Sequence, residues 1–326
     1  MRPVTDSLSR WVVHFLLLFT VLPVQALEQI TIQVGQLNID DVDITNISLE
    51  TRPSETDKDQ FTWSGHVNLQ NTTFHANGYI DNRQWQADIK SDPDGEELVE
   101  LQHLFKTEMP EIAIDGSTQL SVKAYGTVDR MLQGASFKFA GKQWTAEIPD
   151  MAIAMEQANF QISGDVTLTK NQDYHGTASI QLDSGLYAFN DVFIEPTQGA
   201  IQFSSQYAYR DEELLLQKGK LHDPGGLTVR VPRLRYRANE ATPLADMKVE
   251  IAEARFPYVY SAWVQGLLYD TLLADVDSDG SIHGAISMSR GDIDEVNLTL
   301  ENFSLSDTTN KFALYRANGN FFSQKG

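Results

Sequence analysis

Phe160-Gln161-Ile162-Ser163-Gly164-Asp165-Val166-Thr167-Leu168 places an apolar residue at every second position, with Gly164 in the apolar register. Successive residues of a strand point to opposite faces, so this stretch reads as a strand with one buried and one solvated side. The same period recurs in both directions. Ile30, Ile32 and Val34 alternate with Thr31 and Gln33; Ala178, Ile180 and Leu182 follow, then Leu227, Val229 and Val231, and finally Val296, Leu298 and Leu300. Period 2 from end to end predicts a mainly β chain whose serial strands pair as antiparallel neighbours.

Two segments slip their alternation by one residue and then resume it: Val42 and Ile44 give way to Ile47 and Leu49, and Leu298 and Leu300 to Phe303 and Leu305. A slip of one would move the apolar set to the other face unless the backbone bulges, so bulged and strongly twisted strands are expected. Short internal likenesses support a serial architecture. Residues 61–69 match 160–168 at the Phe, Ser, Gly, Val and Leu positions, Gln84-Trp85-Gln86-Ala87-Asp88-Ile89 parallels Gln143-Trp144-Thr145-Ala146-Glu147-Ile148, and Asn46-Ile47-Ser48-Leu49 parallels Asn302-Phe303-Ser304-Leu305. The spacings differ from pair to pair, which excludes a fixed-period solenoid. Asn77-Gly78 and Asn318-Gly319 read as tight hairpin turns, because both central residues of such turns need positive φ. Asp223-Pro224-Gly225-Gly226 and Asp279-Gly280 read as further breaks.

Two segments depart from the strand pattern. Residues 96–108 follow Asp92-Pro93-Asp94-Gly95, carry acid in the first turn, space Leu98, Leu101 and Phe105 by three and four, and stop before Pro110. That predicts an amphipathic helix. Residues 256–274 are apolar around most of a helical circumference, leaving Ser261 and Gln265 as a thin polar stripe. A helix of that kind must be buried or inserted in something.

Residues 1–26 combine Arg2 and Arg10, an apolar run over residues 11–24, and Val24-Gln25-Ala26. This predicts a secretory signal cleaved after Ala26, with retention as an anchor as the alternative. Cleavage removes two basic residues and one acidic one, taking the net charge from −20 to −21. Such a surface repels nucleic acid and anionic membranes at long range, so no nucleic-acid partner is expected. The chain has no cysteine. Disulfides, zinc-thiolate sites, iron–sulfur clusters and cysteine nucleophiles are therefore excluded.

Chemistry-bearing motifs are few. Asp275, Asp277 and Asp279 have the spacing that opens a calcium loop, but position 12 is Ile286 instead of a bidentate Glu, and the sequence continues as a strand. An acidic turn is the better reading. No histidine pair sits at metal-ligand spacing, and neither a Gly-x-Ser-x-Gly elbow nor a Gly-rich phosphate loop occurs, so no enzyme activity and no cofactor are expected. Arg233, Arg235 and Arg237 alternate on one strand face, where they would suit lipid head groups or pair with Asp246 and Glu250 on the following strand. Trp63, Trp85, Phe137, Phe139, Trp144, Phe160 and Ile162 fall on inward-facing positions. With Trp263 and Leu267 of the apolar segment, they are candidates to line an acyl-chain groove or to fill a core. The sequons at Asn46, Asn71, Asn297 and Asn302 are read as strand composition.

In its last 45 or so residues the chain resembles the AsmA/TamB superfamily of bacterial envelope proteins, through Asp279-Gly280-Ser281-Ile282-His283-Gly284, Val296-Asn297-Leu298-Thr299-Leu300, Phe303-Ser304-Leu305-Ser306-Asp307 and Phe312-Ala313-Leu314-Tyr315. The resemblance implies a periplasmic protein with a strongly curled antiparallel sheet, an open trough or barrel-like, with one or two amphipathic helices. It also implies phospholipid or another acyl-chain lipid as ligand, and inner- or outer-membrane proteins as partners. Residues 27–326 are then one elongated β-domain, with internal divisions near 110 or 240. A structural or assembly module for envelope proteins and a secreted carbohydrate-binding β-sandwich are the alternatives.

Overall fold

The computed structural model describes residues 29–39, 42–54, 60–81, 83–104, 113–127, 129, 132–148, 152–169, 173–190, 192–237, 243–269, 271–308 and 311–325. The proposed signal segment lies outside them. Among the described residues, seventeen strands form one antiparallel sheet, a mainly β structure as the period-2 pattern predicts. No described helix is long and apolar enough to cross a membrane. The chain forms two compact units: the described residues of Met1–Met109 with Gln119–Phe137, and those of Pro110–Thr118 with Lys138–Gly326. The divisions expected near 110 and 240 fall outside the described residues.

The first unit contains β1 (Ile30–Ile39), β2 (Val42–Pro53), β3 (Phe61–Leu69), β4 (Thr72–Ile80), β5 (Gln84–Ser91), α1 (Gly95–Leu104) and the later part of β6 (Ala113–Thr127). Each strand pairs antiparallel with the next. Cross-strand partners share a face, so the register aligns the apolar positions. Ile32 pairs with Leu49, Leu49 with Gly65, Val67 with Phe74, Ala76 with Ile89, and Ile89 with Val122. The opposite face carries Glu50, Ser64, Asn77, Asp88 and Lys123. Helix α1 begins with a capping box, Asp94 Oδ1 accepting from the Glu97 N–H and Glu97 Oε2 from the Asp94 N–H, both at 3.0 Å. The predicted helix is thus present over 95–104, and residues 105–108 lie outside the described set.

The second unit takes the first part of β6, most of β7 (Gly134–Ile148), and then β8 (Ile153–Leu168), β9 (Tyr174–Phe189), β10 (Val192–Ile194), β11 (Ile201–Arg210), β12 (Glu213–Asp223), β13 (Leu227–Arg237), β14 (Leu244–Phe256), β15 (Val276–Ser289), β16 (Asp292–Asp307) and β17 (Ala313–Gln324). Strand β9 pairs along its length with β8, and on its other side with both β10 and β11; from β11 onward each strand pairs with the next. One apolar face again runs across the unit through the pairs Ile162–Ile180, Ile180–Phe203, Phe203–Leu221, Leu221–Val229, Val229–Ile251, Val249–Ile286, Ile286–Val296 and Leu298–Phe321. The register closes neither unit on itself, so a barrel-like form is not confirmed, nor is the strong curl.

Both slips in the sequence pattern are bulges. Asn46 and Asn302 sit at φ 51° and 49°, beside register shifts at Thr45/Ser48 and Leu300/Phe303. Asparagine tolerates this left-handed conformation better than other side chains. The likeness between 46–49 and 302–305 is therefore a shared bulge. Gln143 also takes a positive φ, whereas its counterpart Gln84 simply opens β5; beyond it, Trp85, Ala87 and Ile89 alternate along β5 as Trp144, Ala146 and Ile148 do along β7.

Three expectations are corrected. Asn77-Gly78 and Asn318-Gly319 are not turns but interior residues of β4 and β17. Glycine is needed at 78 because a Cβ there would collide with the Gln86 carbonyl oxygen and come within 2.8 Å of the Trp63 ring. Among the described residues, tight two-residue turns fall instead at Gln70-Asn71, Asp211-Glu212 and Arg290-Gly291, the last four residues all at positive φ. Asp279-Gly280 lies inside β15, at a bulge. Residues 256–274 do not form one helix. Strand β14 runs to Phe256, a π-helical turn spans Tyr260–Val264, and a 3₁₀ turn spans Gly266–Leu268. Hydrogen bonds from Tyr258 and Trp263 to Asp223, and from Tyr260 and Gln265 to the far end of the segment, hold this path in place of a regular helical ladder.

Candidate functional site

In the first unit, Trp63 and Trp85 lie on the apolar face with Phe61, Val67, Phe74, Ile80 and Val122, and are half-buried. Trp63 pairs with Gly78 and Trp85 with Ile80. Among the described residues no other sheet of the unit is packed over this face, and α1 meets the unit at β4, just before which Asn71 Nδ2 donates to Glu100 Oε2 at 2.8 Å. Phe137, at the start of β7, is half-buried as well.

In the second unit the aromatic candidates have a different setting. Trp144 and Phe160 are buried, with ring centroids 5.1 Å apart in a T-shaped contact, and Phe139 meets them at 5.5 and 5.9 Å. Trp144 Nε1 donates to the Ser117 carbonyl at 3.1 Å. Gly141 is required beside them, since a Cβ there would lie 2.5 Å from the Phe160 ring. Tyr187 is fully buried nearby in the fold of β8 on β9, its hydroxyl donating to the Asn159 carbonyl at 2.6 Å. Phe139, Trp144 and Phe160 therefore pack mainly on one another. Gln157 and Gly185 take positive φ beside the register shifts of β8 on β9, and Gly116 of β6 and Gln143 of β7 take positive φ around the same cluster.

The apolar face of the second unit is graded. At the end carrying residues 257–275, Ile201, Leu227, Ala254 and Phe303 are buried. Ile162 is half-buried along the middle, where Ile180 is already exposed. At the opposite end, beside the turns at 211–212 and 290–291, Tyr174, Tyr209, Tyr236 and Ile293 are all exposed on the same face. This is an apolar surface closed at one end and accessible at the other.

The closure depends on a residue that reads in sequence only as a turn former. Asp223, 2 % exposed, accepts three hydrogen bonds at 2.8 Å: from the Gly225 N–H on Oδ1, and from Tyr258 Oη and Trp263 Nε1 on Oδ2. It thus pins the Tyr258 and Trp263 side chains of the 257–275 segment to the β12–β13 hairpin. Val259, Trp263 and Val264 then pack on Leu221, Leu227, Val229, Ile251 and Ala254. Trp263 is consequently an anchor of the segment, and Leu267 points into solvent. The signal that could have revealed Asp223 is the pairing of a buried-type turn, Asp-Pro-Gly-Gly, with Tyr and Trp donors in an otherwise apolar segment.

Burial raises the Tyr258 pKa above its ordinary value of 10.0, and the hydrogen bond to Asp223 and the Asp223 charge push it the same way. Burial, then the Asp183 charge, raises that of Tyr187. A folded-state pKa above the unfolded one means that the neutral phenol contributes stability fully below pH 10, lost as pH climbs through the raised values. The urea midpoint is expected to fall above pH 10, and to fall less steeply in the Tyr187→Phe/Tyr258→Phe double variant. An unchanged slope in that variant would assign the alkaline loss to other groups.

The remaining candidates lie elsewhere. Arg233, Arg235 and Arg237 are on the face opposite the apolar one and meet carboxylates: Arg235 and Arg233 reach Asp246 at 2.6 and 3.7 Å, and Arg237 reaches Glu213 at 2.6 Å. Cross-strand pairing thus accounts for their alternation. Asp275 accepts from Thr308 Oγ1 at 2.7 Å and Asp279 from the Gly280 N–H, and among the described residues no three His, Cys, Asp or Glu converge on a metal position. Two shallow clefts on the turn-bearing rim of the second unit are lined by residues such as Arg290, Asp292 and Asp294, and Arg210, Glu213 and Arg237. Neither carries the aromatic platform a sugar site needs. No protein-family model matches the chain, and no curated protein or solved structure matches it.

Proposed function

We propose that this chain is a non-enzymatic, exported envelope protein of AsmA/TamB type that holds lipid acyl chains along an apolar β-surface. In this reading residues 1–26 direct it to the periplasm, or stay as an inner-membrane anchor. The observation that carries the proposal is the register: strand after strand in each unit delivers its apolar side chains to one face, which ends in exposed Tyr174, Tyr209, Tyr236 and Ile293 in the second unit. Leaving that much contiguous apolar surface in water is unfavourable by about 25 cal/mol per Å², which an acyl chain would relieve. The curl needed to wrap such a chain would come from the bulges beside Asn46, Gln157, Gly185 and Asn302, because bulged strands bend and twist.

The test is lipid extraction and native mass spectrometry of the purified chain. Co-purified phospholipid is expected, and Ile180→Glu, at an exposed point of the face, should lower its amount at least about tenfold by placing a charge against the acyl chain, with little loss of stability. Lipid-free protein that also moves no lipid between vesicles would refute the proposal. An assembly module is the second reading, favoured by β17, which exposes Leu314, Tyr315, Phe321 and Phe322.

A further inference from the structure

Chain that leaves a sheet ordinarily carries polar residues into solvent. Residues 257–275 do the reverse. Leu267, Tyr269 and Leu272 are 61, 78 and 72 % exposed at the tip of the segment, and Phe193 of β10, which packs beside the π-helical and 3₁₀ turns, is 57 % exposed. The base beneath them is firmly tied. Besides the Asp223 anchors, Tyr260 Oη donates to the Leu273 carbonyl at 2.7 Å and Gln265 Nε2 to the Ala274 carbonyl at 3.3 Å, joining the start of the segment to its end. With its inward side already occupied by the cluster around Leu227 and Val259, the tip presents its apolar side chains outward.

The chemistry narrows what could meet them. The segment contains no Lys, Arg or His, and its charged residues are Asp270 and Asp275, in a chain of net charge −20. An anionic lipid surface would be repelled. A stable protein interface draws on roughly 20–30 residues a side, far more than four side chains on a protrusion. Leucine beside an amphipathic tyrosine ring is instead the composition that settles at the boundary between head groups and acyl chains, where shallow insertion of about 5–10 Å suffices.

We propose that the 257–275 tip is a membrane-docking element that inserts Leu267, Tyr269 and Leu272 into the interface of a zwitterionic phospholipid bilayer. This deepens the lipid-holding reading and rests on it for its purpose: the same segment closes one end of the apolar face of the second unit, so docking would bring that end to a membrane.

The cysteine-free chain makes the test specific to the site. The full-length protein carrying Tyr269→Cys is labelled with an environment-sensitive fluorophore and mixed with phosphatidylcholine vesicles; Lys220→Cys on the polar face of β12 is the control. The label at 269 is expected to shift to the blue and brighten at least about twofold, the control to stay unchanged, and the response to persist in 0.5 M salt, since no charge attraction drives it. Adding Leu267→Ser and Leu272→Ser should weaken the vesicle affinity read by this label at least about tenfold. Because the label reports its own surroundings, any anchoring by residues 1–26 does not mimic the signal. A silent label at 269, a shift that depends on protein concentration without vesicles, as self-association would give, or a requirement for anionic lipid would each overturn the proposal. Co-purified lipid with a silent label leaves the lipid-holding reading standing alone, whereas an inserted label on lipid-free, transfer-incompetent protein leaves docking standing alone.

Discussion

Asp223→Ala is expected to destabilise the protein by about 3 kcal/mol or more and to loosen the 257–275 segment from the β12–β13 hairpin. Hydrogen bonds to a charged group are worth about 1.5–3 kcal/mol each, and removing a buried acceptor leaves its donors without partners. Three donors converge on this carboxylate, from Gly225, Tyr258 and Trp263. Asp223→Asn keeps the size but turns an N–H₂ group toward one of those donors, so it should recover only part of the loss. Urea denaturation measures the stability, and amide exchange over residues 258–264 should accelerate in Asp223→Ala. A loss below about 1 kcal/mol would mean that water replaces the carboxylate and that the apolar contacts hold the segment unaided.

The second large effect separates core from surface among the tryptophans. Trp144→Ala should cost about 3–5 kcal/mol, because it opens a cavity beside Phe139 and Phe160 and frees the Ser117 carbonyl. Trp63→Ala removes a half-buried ring lying over Gly78, and should cost about half as much or less while reducing bound lipid. Denaturation curves and lipid extraction on both variants give four numbers. Equal stability losses with unchanged lipid in both would place Trp63 in the core as well.

Much of the fold was legible one residue at a time. A strand's faces alternate whatever it packs against, so Phe160, Ile162, Val166 and Leu168 declare their side without reference to a partner. The slips at Asn46 and Asn302 were equally readable, since a bulge is a local event that shifts the period and favours a residue tolerant of positive φ. Other local signals misled. Asn77-Gly78 has hairpin chemistry, but a neighbouring strand needed Gly78 as the floor for Trp63. Residues 256–274 have the composition of a buried helix, but periodicity does not reveal that Tyr258 and Trp263 will be drawn to one carboxylate 35 and 40 residues earlier.

For the candidate site the division falls between residue type and surroundings. The amino-acid sequence by itself determined a cysteine-free, acidic, mainly β chain whose strands each have one apolar face. Only the tertiary structure decided that Phe139, Trp144 and Phe160 fill a core while Trp63 and Trp85 remain on a half-exposed face, that Arg235 is held by Asp246, and that Asp223 secures the closed end of the second unit's apolar surface. The physical reason is that alternation depends on backbone geometry within a strand, whereas burial, ion pairing and anchoring depend on which strands meet and in what register.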